Sequence, residues 1–135
     1  MVTKGKAKYV YLDSTESFNG EDTGKYTLTV ALDDSEAKKL ENIGVKVRTV
    51  TPKEGKPYKA RKFSTKYPLG FEMIKTAEGE AIGSDFGPES DIEVLWKAGA
   101  EHPMHGVATY LTAVKVNNRT PGYKSADAEA DDFFG

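Results

Sequence analysis

Polar and apolar residues alternate over most of this chain, and helical spacing recurs only once. Residues 7 to 12 (Ala-Lys-Tyr-Val-Tyr-Leu) and 25 to 32 (Lys-Tyr-Thr-Leu-Thr-Val-Ala-Leu) are rich in β-branched and aromatic side chains. The second run places Tyr26, Leu28, Val30 and Leu32 on one face. Period two is the repeat of a strand that buries one side, so both runs read as strands, with Asn19-Gly20 and Thr23-Gly24 as turns between them. Residues 45 to 51 and 58 to 64 flank Pro52-Lys-Glu-Gly-Lys-Pro57 and read as a hairpin. Residues 71 to 74 read as a further short strand. Ile92, Val94 and Trp96 alternate ahead of Lys97-Ala-Gly, and residues 106 to 116 make the last strand. Its pattern changes phase near Thr112, between Leu111 and Val114, as a β-bulge would cause. The helical exception opens on Asp33 with Glu36 three residues on, a capping box. It continues through Ala37, Leu40 and Ile43 and stops at Gly44, which predicts one helix over about 34 to 43.

Five to seven strands with one short helix, no internal repeat and no strand–helix–strand rhythm predict an all-β barrel. At 135 residues the oligonucleotide-binding (OB) fold is the candidate. Residues 1–118 are expected to form this one domain and residues 119–135 a flexible acidic tail. The chain has no cysteine, which removes disulfides, thiolate metal sites and cysteine nucleophiles. No apolar run approaches a membrane span and none follows Met-Val-Thr-Lys-Gly-Lys to make a signal peptide. A soluble, cytoplasmic protein with no membrane partner is the expectation.

Charge is unevenly spread. All 19 Lys and Arg and 17 of the 21 acids precede residue 125, leaving Ser-Ala-Asp-Ala-Glu-Ala-Asp-Asp-Phe-Phe-Gly at the end with no base. That segment has too few apolar groups to order itself, so Phe133 and Phe134 call for a receiver elsewhere. Residues 46 to 75 hold nine bases against Glu54 and Glu72. Within them Lys53, Lys56, Tyr58, Lys59, Arg61, Lys62, Phe63, Lys66, Tyr67 and Phe71 interleave charge with rings, and Lys97 follows Trp96. Single-stranded nucleic acid wants this mixture, because cations neutralise phosphates while unpaired bases stack on aromatics for about 1–3 kcal/mol each. On an extended strand Lys59, Arg61 and Phe63 share one face and Tyr58, Ala60 and Lys62 the other. Tyr58 and Tyr67 read as exposed, Phe71 and Tyr26 as core, and Trp96 as either core or a ring at a strand end.

Catalysis finds no support. His102-Pro-Met-His105 holds the only two histidines and reads as an ordinary loop rather than a metal pair, so neither metal nor cofactor is expected. Asp85, Glu89, Asp91 and Glu93 read as a solvated acidic face, with a magnesium-dependent nuclease as the reading they would otherwise support. No phosphate-cradling Gly-x-x-x-x-Gly-Lys or Gly-x-Ser-x-Gly occurs. Two further readings stand beside DNA binding: an RNA-binding barrel, and a protein-interaction module whose basic hairpin meets an acidic partner.

In order along the chain, Tyr9-Val-Tyr-Leu, Gly24-Lys-Tyr-Thr-Leu-Thr-Val, Ile82-Gly-Ser, Asp91-Ile-Glu-Val-Leu-Trp, Gly106-Val-Ala-Thr-Tyr-Leu-Thr-Ala-Val-Lys-Val and the terminal Asp131-Asp132-Phe133-Phe134 resemble the small single-stranded-DNA-binding proteins encoded by bacteriophages. The resemblance covers most of the chain. It implies an OB barrel that binds exposed single strands without sequence preference in replication, recombination and repair of phage DNA. It also implies a tail (Asp127, Glu129, Asp131, Asp132, Phe133, Phe134) that recruits polymerase, helicase or other replication proteins and competes with DNA, and it admits a homodimer. By position it implies stacking by Trp96 and a basic binding face at Lys59, Arg61 and Lys62. The tail departs from the family pattern in placing Gly135 after the aromatic pair.

Overall fold

Five long strands close into a ring. The computed structural model describes residues 1–13, 15–18, 20–53 and 55–120. In chain order the elements are β1 (Val2–Tyr11), β2 (Ser17–Phe18), β3 (Glu21–Asp22), β4 (Tyr26–Leu32), α1 (Asp34–Asn42), β5 (Arg48–Val50), β6 (Tyr58–Thr65), a 3-10 turn (Phe71–Met73), β7 (Ile74–Thr76), β8 (Asp91–His102) and β9 (Gly106–Asn118). Neighbours run β6–β4–β1–β8–β9, and β9 returns to β6 through a parallel bridge between Ser64 and Tyr110. On that same edge of β6, β5 takes residues 58 to 60. The five ring strands in order β1, β4, β6, β8, β9, with the third and fifth parallel at the seam, form the expected OB barrel.

A small barrel closes only if its strands coil, and register shifts in β1–β4 and β8–β9 together with a glycine let them. The β1–β4 register slips between Ala7 and Tyr9, so Lys8 is the extra residue. Before it Thr3 and Ala7 are buried; after it Leu12 is buried while Tyr9 and Tyr11 point out. Opposite, Leu95 pairs with Ala113 but Trp96 with Leu111, leaving Thr112 unmatched, where the sequence pattern broke phase. Gly5 lies where β1 passes from β8 to β4. A Cβ there would sit 2.2 Å from the Ala31 carbonyl oxygen and 2.6 Å from Val30 Cγ1.

Inside, Ala7, Leu28, Val30, Phe63, Val94, Trp96 and Leu111 pack together, each large side chain contributing about 1.5–3 kcal/mol by burial. The Phe63 and Trp96 rings lie 5.8 Å apart at a tilt. The Trp96 indole N–H donates to Thr3 Oγ1 at 2.8 Å, so the one polar atom of the ring is satisfied in the dark. Helix α1 starts as expected, the Glu36 N–H donating to Asp33 Oδ1 at 2.8 Å, and sets Ala37 and Leu40 into the core.

Several expectations change. Residues 71 to 73 wind into a 3-10 turn, with strand β7 beginning only at Ile74, and Phe71 is exposed rather than core. Only Arg48–Val50 of the first hairpin arm is strand. Strand β8 continues through Lys97-Ala-Gly to His102, so the two histidines end up at the tip of a long β8–β9 hairpin, rings 4.7 Å apart. Past residue 118, the Thr120 N–H donates to Ser90 Oγ at 2.9 Å and its hydroxyl to the Pro88 carbonyl at 2.7 Å. The chain is therefore still tied to the barrel two residues beyond the boundary read from sequence. The acidic tail from residue 121 lies outside the described residues.

Candidate nucleic-acid interface

Strand pairing aligns one row of side chains across the outer side of the barrel, open at Tyr11 and Tyr110 and buried at Thr27. Tyr11 pairs with Thr27, Thr27 with Ser64, Ser64 with Tyr110 and Tyr110 with Lys97, which crosses all five ring strands. The next row runs Tyr9, Thr29, Lys62. Successive strands are about 4.8 Å apart, so Tyr11 and Tyr110 stand about 14 Å from each other along the row. Tyr9, Tyr11 and Tyr110 are all exposed, Tyr110 by 50%. They are outward because of the bulge at Lys8 on one strand and simple alternation with Thr109 and Leu111 on the other.

Beside this row a groove of about 760 Å³ runs between β5–β6 and the β8–β9 hairpin. Lys25, Lys46, Arg48, Arg61, Lys62, His102 and His105 line it, together with Ser64 and Tyr110, and among the described residues no carboxylate does. The hairpin tip is fastened to the groove's floor by Lys46 Nζ donating to the Met104 carbonyl, and by the Val107 N–H donating to the Gly44 carbonyl at 3.0 Å. Cations on one wall with aromatic faces on the other suit a charged backbone that carries flat rings.

Arg61 serves the wall from within. Its Nε donates to Thr109 Oγ1 at 3.0 Å and its two terminal nitrogens to the carbonyls of Lys46 and Val107. It spans the gap where β6 exchanges β5 for β9 as partner, and burial pulls its guanidinium below the ordinary arginine value. Lys62 points outward, and its ammonium donates to both carboxylate oxygens of Glu16 at 2.7 and 2.9 Å. Tyr58 lies under the Lys8 ammonium, 4.7 Å from ring centroid to nitrogen. Burial raises its phenol above the usual value, and Tyr9 adds to the shift.

The residues expected at the site divide. Phe63 and Trp96 are 0% and 1% exposed, so neither offers a face to a base, and the stacking role assigned to them is withdrawn. Both share the inward parity of Leu28 and Val94. Arg61 has the same inward parity, opposite Val30, and braces the barrel rather than the ligand. Lys53 and Lys56 are exposed between β5 and β6, Lys66 and Tyr67 are exposed past the end of β6, and Lys97 adjoins Tyr110. Lys59 faces Asp34 at 4.0 Å, a contact worth little at the surface. Of the acidic stretch, Glu93 is held by Lys4, Lys115 and Asn117, Glu89 by Lys8 and Asp85 by Arg119. Its carboxylates are therefore already engaged in structure, and no cluster of three or more metal-ligating side chains occurs among the described residues. Tyr9, Tyr11, Tyr110, Lys25 and the histidine pair belong to the face but were not singled out as binders. The clash between Ala7-Tyr9-Tyr11 and Val10-Leu12, two alternations out of phase, was the available sign for the first two.

No family model matches this chain, and no curated protein does. Among solved structures it is similar to gp2.5, a single-stranded DNA binding protein encoded by bacteriophage T7. The TM-score is 0.49 and the identity 13%, over 97% of this chain and 92% of that one. The fold assignment stands on the strand ring itself. Among the described residues no helix is long and apolar enough to cross a membrane.

Proposed function

We propose that this chain binds single-stranded DNA, without sequence preference and without catalysis, across the outer face of β4 and β6. The observation that carries the reading is the row from Tyr11 to Tyr110 beside a groove lined by lysine and arginine and, among the described residues, by no acid. Tyrosines stack on bases of any identity, and Lys25, Lys46, Arg48 and Lys62 meet phosphates, with Lys53, Lys56, Lys66, Tyr67 and Lys97 extending the path. An OB barrel uses this face and its flanking loops, here residues 12 to 25 and the hairpin tip at 103 to 105. Duplex DNA hides its base faces and is excluded from stacking. The wider role that fits is protection of exposed strands during replication, recombination and repair of phage DNA. In it, the acidic tail with Phe133 and Phe134 recruits polymerase or helicase and competes with DNA for the groove.

The test is an anisotropy titration of labelled oligo-dT, its duplex and a matched RNA at about 50 and about 200 mM salt. Strong preference for the single strand, weakening steeply with salt, is expected. Equal affinity for duplex, or none for any oligonucleotide at low salt, refutes it.

A further inference from the structure

Residues 12 to 25, joining β1 to β4, carry a two-residue hairpin (β2 and β3) and lay one carboxylate over the proposed binding face. Glu16 is 46 residues from Lys62 in sequence, yet accepts from its ammonium on both oxygens at 2.7 and 2.9 Å. Its Oε2 also accepts from the Thr27 hydroxyl at 3.0 Å. The Glu16 side chain is only 15% exposed, against 39% for Lys62. Thr27 lies in the row between Tyr11 and Ser64, and Lys62 in the row after Tyr9, so the carboxylate occupies the middle of the aromatic face.

We propose that Glu16 is a built-in competitor for nucleic-acid phosphate: it holds Lys62 and Thr27 in the free protein and is expelled when a single strand binds. The inference rests on the single-strand reading above. An ammonium and a hydroxyl converging on two anionic oxygens are the donors a phosphodiester would take in the same place. The seated carboxylate takes two of the ammonium's donors, and two anions do not share one cation at this distance without repulsion. The restraint on Glu16 is light. Its N–H donates to the Lys25 carbonyl, and its carbonyl accepts from the N–H and hydroxyl of Thr23, all within the loop's own turn. A hairpin of two-residue strands opens easily, so the loop swings away by breaking these bonds. The effect is selectivity: a lone anion gains too little at Lys62 to displace a tethered carboxylate, whereas a strand held elsewhere by stacking and by Arg48 and Lys46 gains enough.

The protein and its Glu16→Gln, Lys62→Gln and doubly substituted forms are titrated with labelled oligo-dT at low salt, each first checked for an unchanged thermal midpoint. Glutamine keeps the shape and an acceptor for Thr27 while removing the charge. Glu16→Gln is expected to bind about fivefold or more tightly than the parent, and less than about twofold more tightly once Lys62 is glutamine. Parent-like or weaker binding by Glu16→Gln overturns the proposal, the second result meaning that Glu16 helps build the site. So does an equal gain in both backgrounds, which would make the effect general repulsion. In parallel, hydrogen exchange at the Glu16 and Thr23 amides should accelerate or change when oligo-dT is added to the parent. Unaltered exchange in a saturated complex also overturns it. If the parent itself fails to bind oligo-dT, the functional reading falls; if it binds and Glu16 proves indifferent, only this inference does.

Discussion

Tyr110 stands half exposed on β9, while Trp96, one register step away on β8, is sealed inside. The two aromatics that a stacking argument would rank in the opposite order thus separate function from stability. Tyr110→Ala removes a platform and no core contact, so single-strand affinity should fall by about 1–3 kcal/mol. Its folding free energy should stay within about 0.5 kcal/mol of the parent. Trp96→Phe leaves the Thr3 hydroxyl buried without its partner and opens space beside Phe63. It should lose about 1–3 kcal/mol of stability with DNA affinity intact. Denaturant melts and anisotropy titrations of both variants check the crossing pattern; a Trp96 variant that folds well and binds poorly would return the ring to the interface. Because the indole is enclosed and bonded to Thr3, its fluorescence should also change little as oligo-dT saturates the protein.

Strands announce themselves in this sequence by alternation, and the helix by its cap, because both periods follow from how a backbone sheds or keeps contact with water. Bulges are less legible. One inserted residue at Lys8 reverses which face Tyr9 and Tyr11 occupy, and only the pairing partner on β4 shows where the count slips. Thr112 could be read because apolar residues on either side of it fall out of step; around Lys8 the runs Ala7-Tyr9-Tyr11 and Val10-Leu12 show that the phase changes but not at which residue. The basic run in β6 was legible as charge but not as direction. Lys62 faces out and Arg61 in, and a guanidinium inside becomes useful only where β5 and β9 leave carbonyls to be met. Gly5 belongs to the same level of organisation. Gly5→Ala drives a methyl into the Ala31 carbonyl and Val30, so β1 must separate from β4. A loss of about 1–3 kcal/mol is expected from such overpacking. Thermal melts of Gly5→Ala against Lys8→Ala, which removes the ion pair to Glu89 and the cation over Tyr58, would reveal whether coiling at Gly5 or the charge at Lys8 holds this corner; a neutral Gly5→Ala would mean the strands have slack.

At the scale of the molecule, opposite charges are segregated along one chain: a basic groove in the barrel and four acids in residues 125–135 with none of the bases. From the anchorage of Thr120 beside Ser90, the fifteen residues that follow would reach about 50–54 Å if extended, enough to cross a domain of this size. A tail that competes for the groove, as proposed, would act by one of two routes that differ in salt dependence. As a diffuse counter-charge it should fade once the Debye length drops below about 8 Å, whereas Phe133 and Phe134 seated in an apolar contact would not. Removal of residues 125–135 should therefore tighten oligo-dT binding several-fold at about 50 mM salt and by much less at about 200 mM if charge dominates. A gain that persists at the higher salt would point to the aromatic pair, and Phe133→Ala with Phe134→Ala should then reproduce it with all four acids in place. Unchanged affinity at low salt would free the tail from any part in DNA binding and leave recruitment of other proteins as its remaining role. Glu16 offers the internal comparison. Its carboxylate is already within hydrogen-bonding distance of Lys62, so its influence should be less sensitive to salt than the tail's, and the two deletions should add if they act on separate parts of the face.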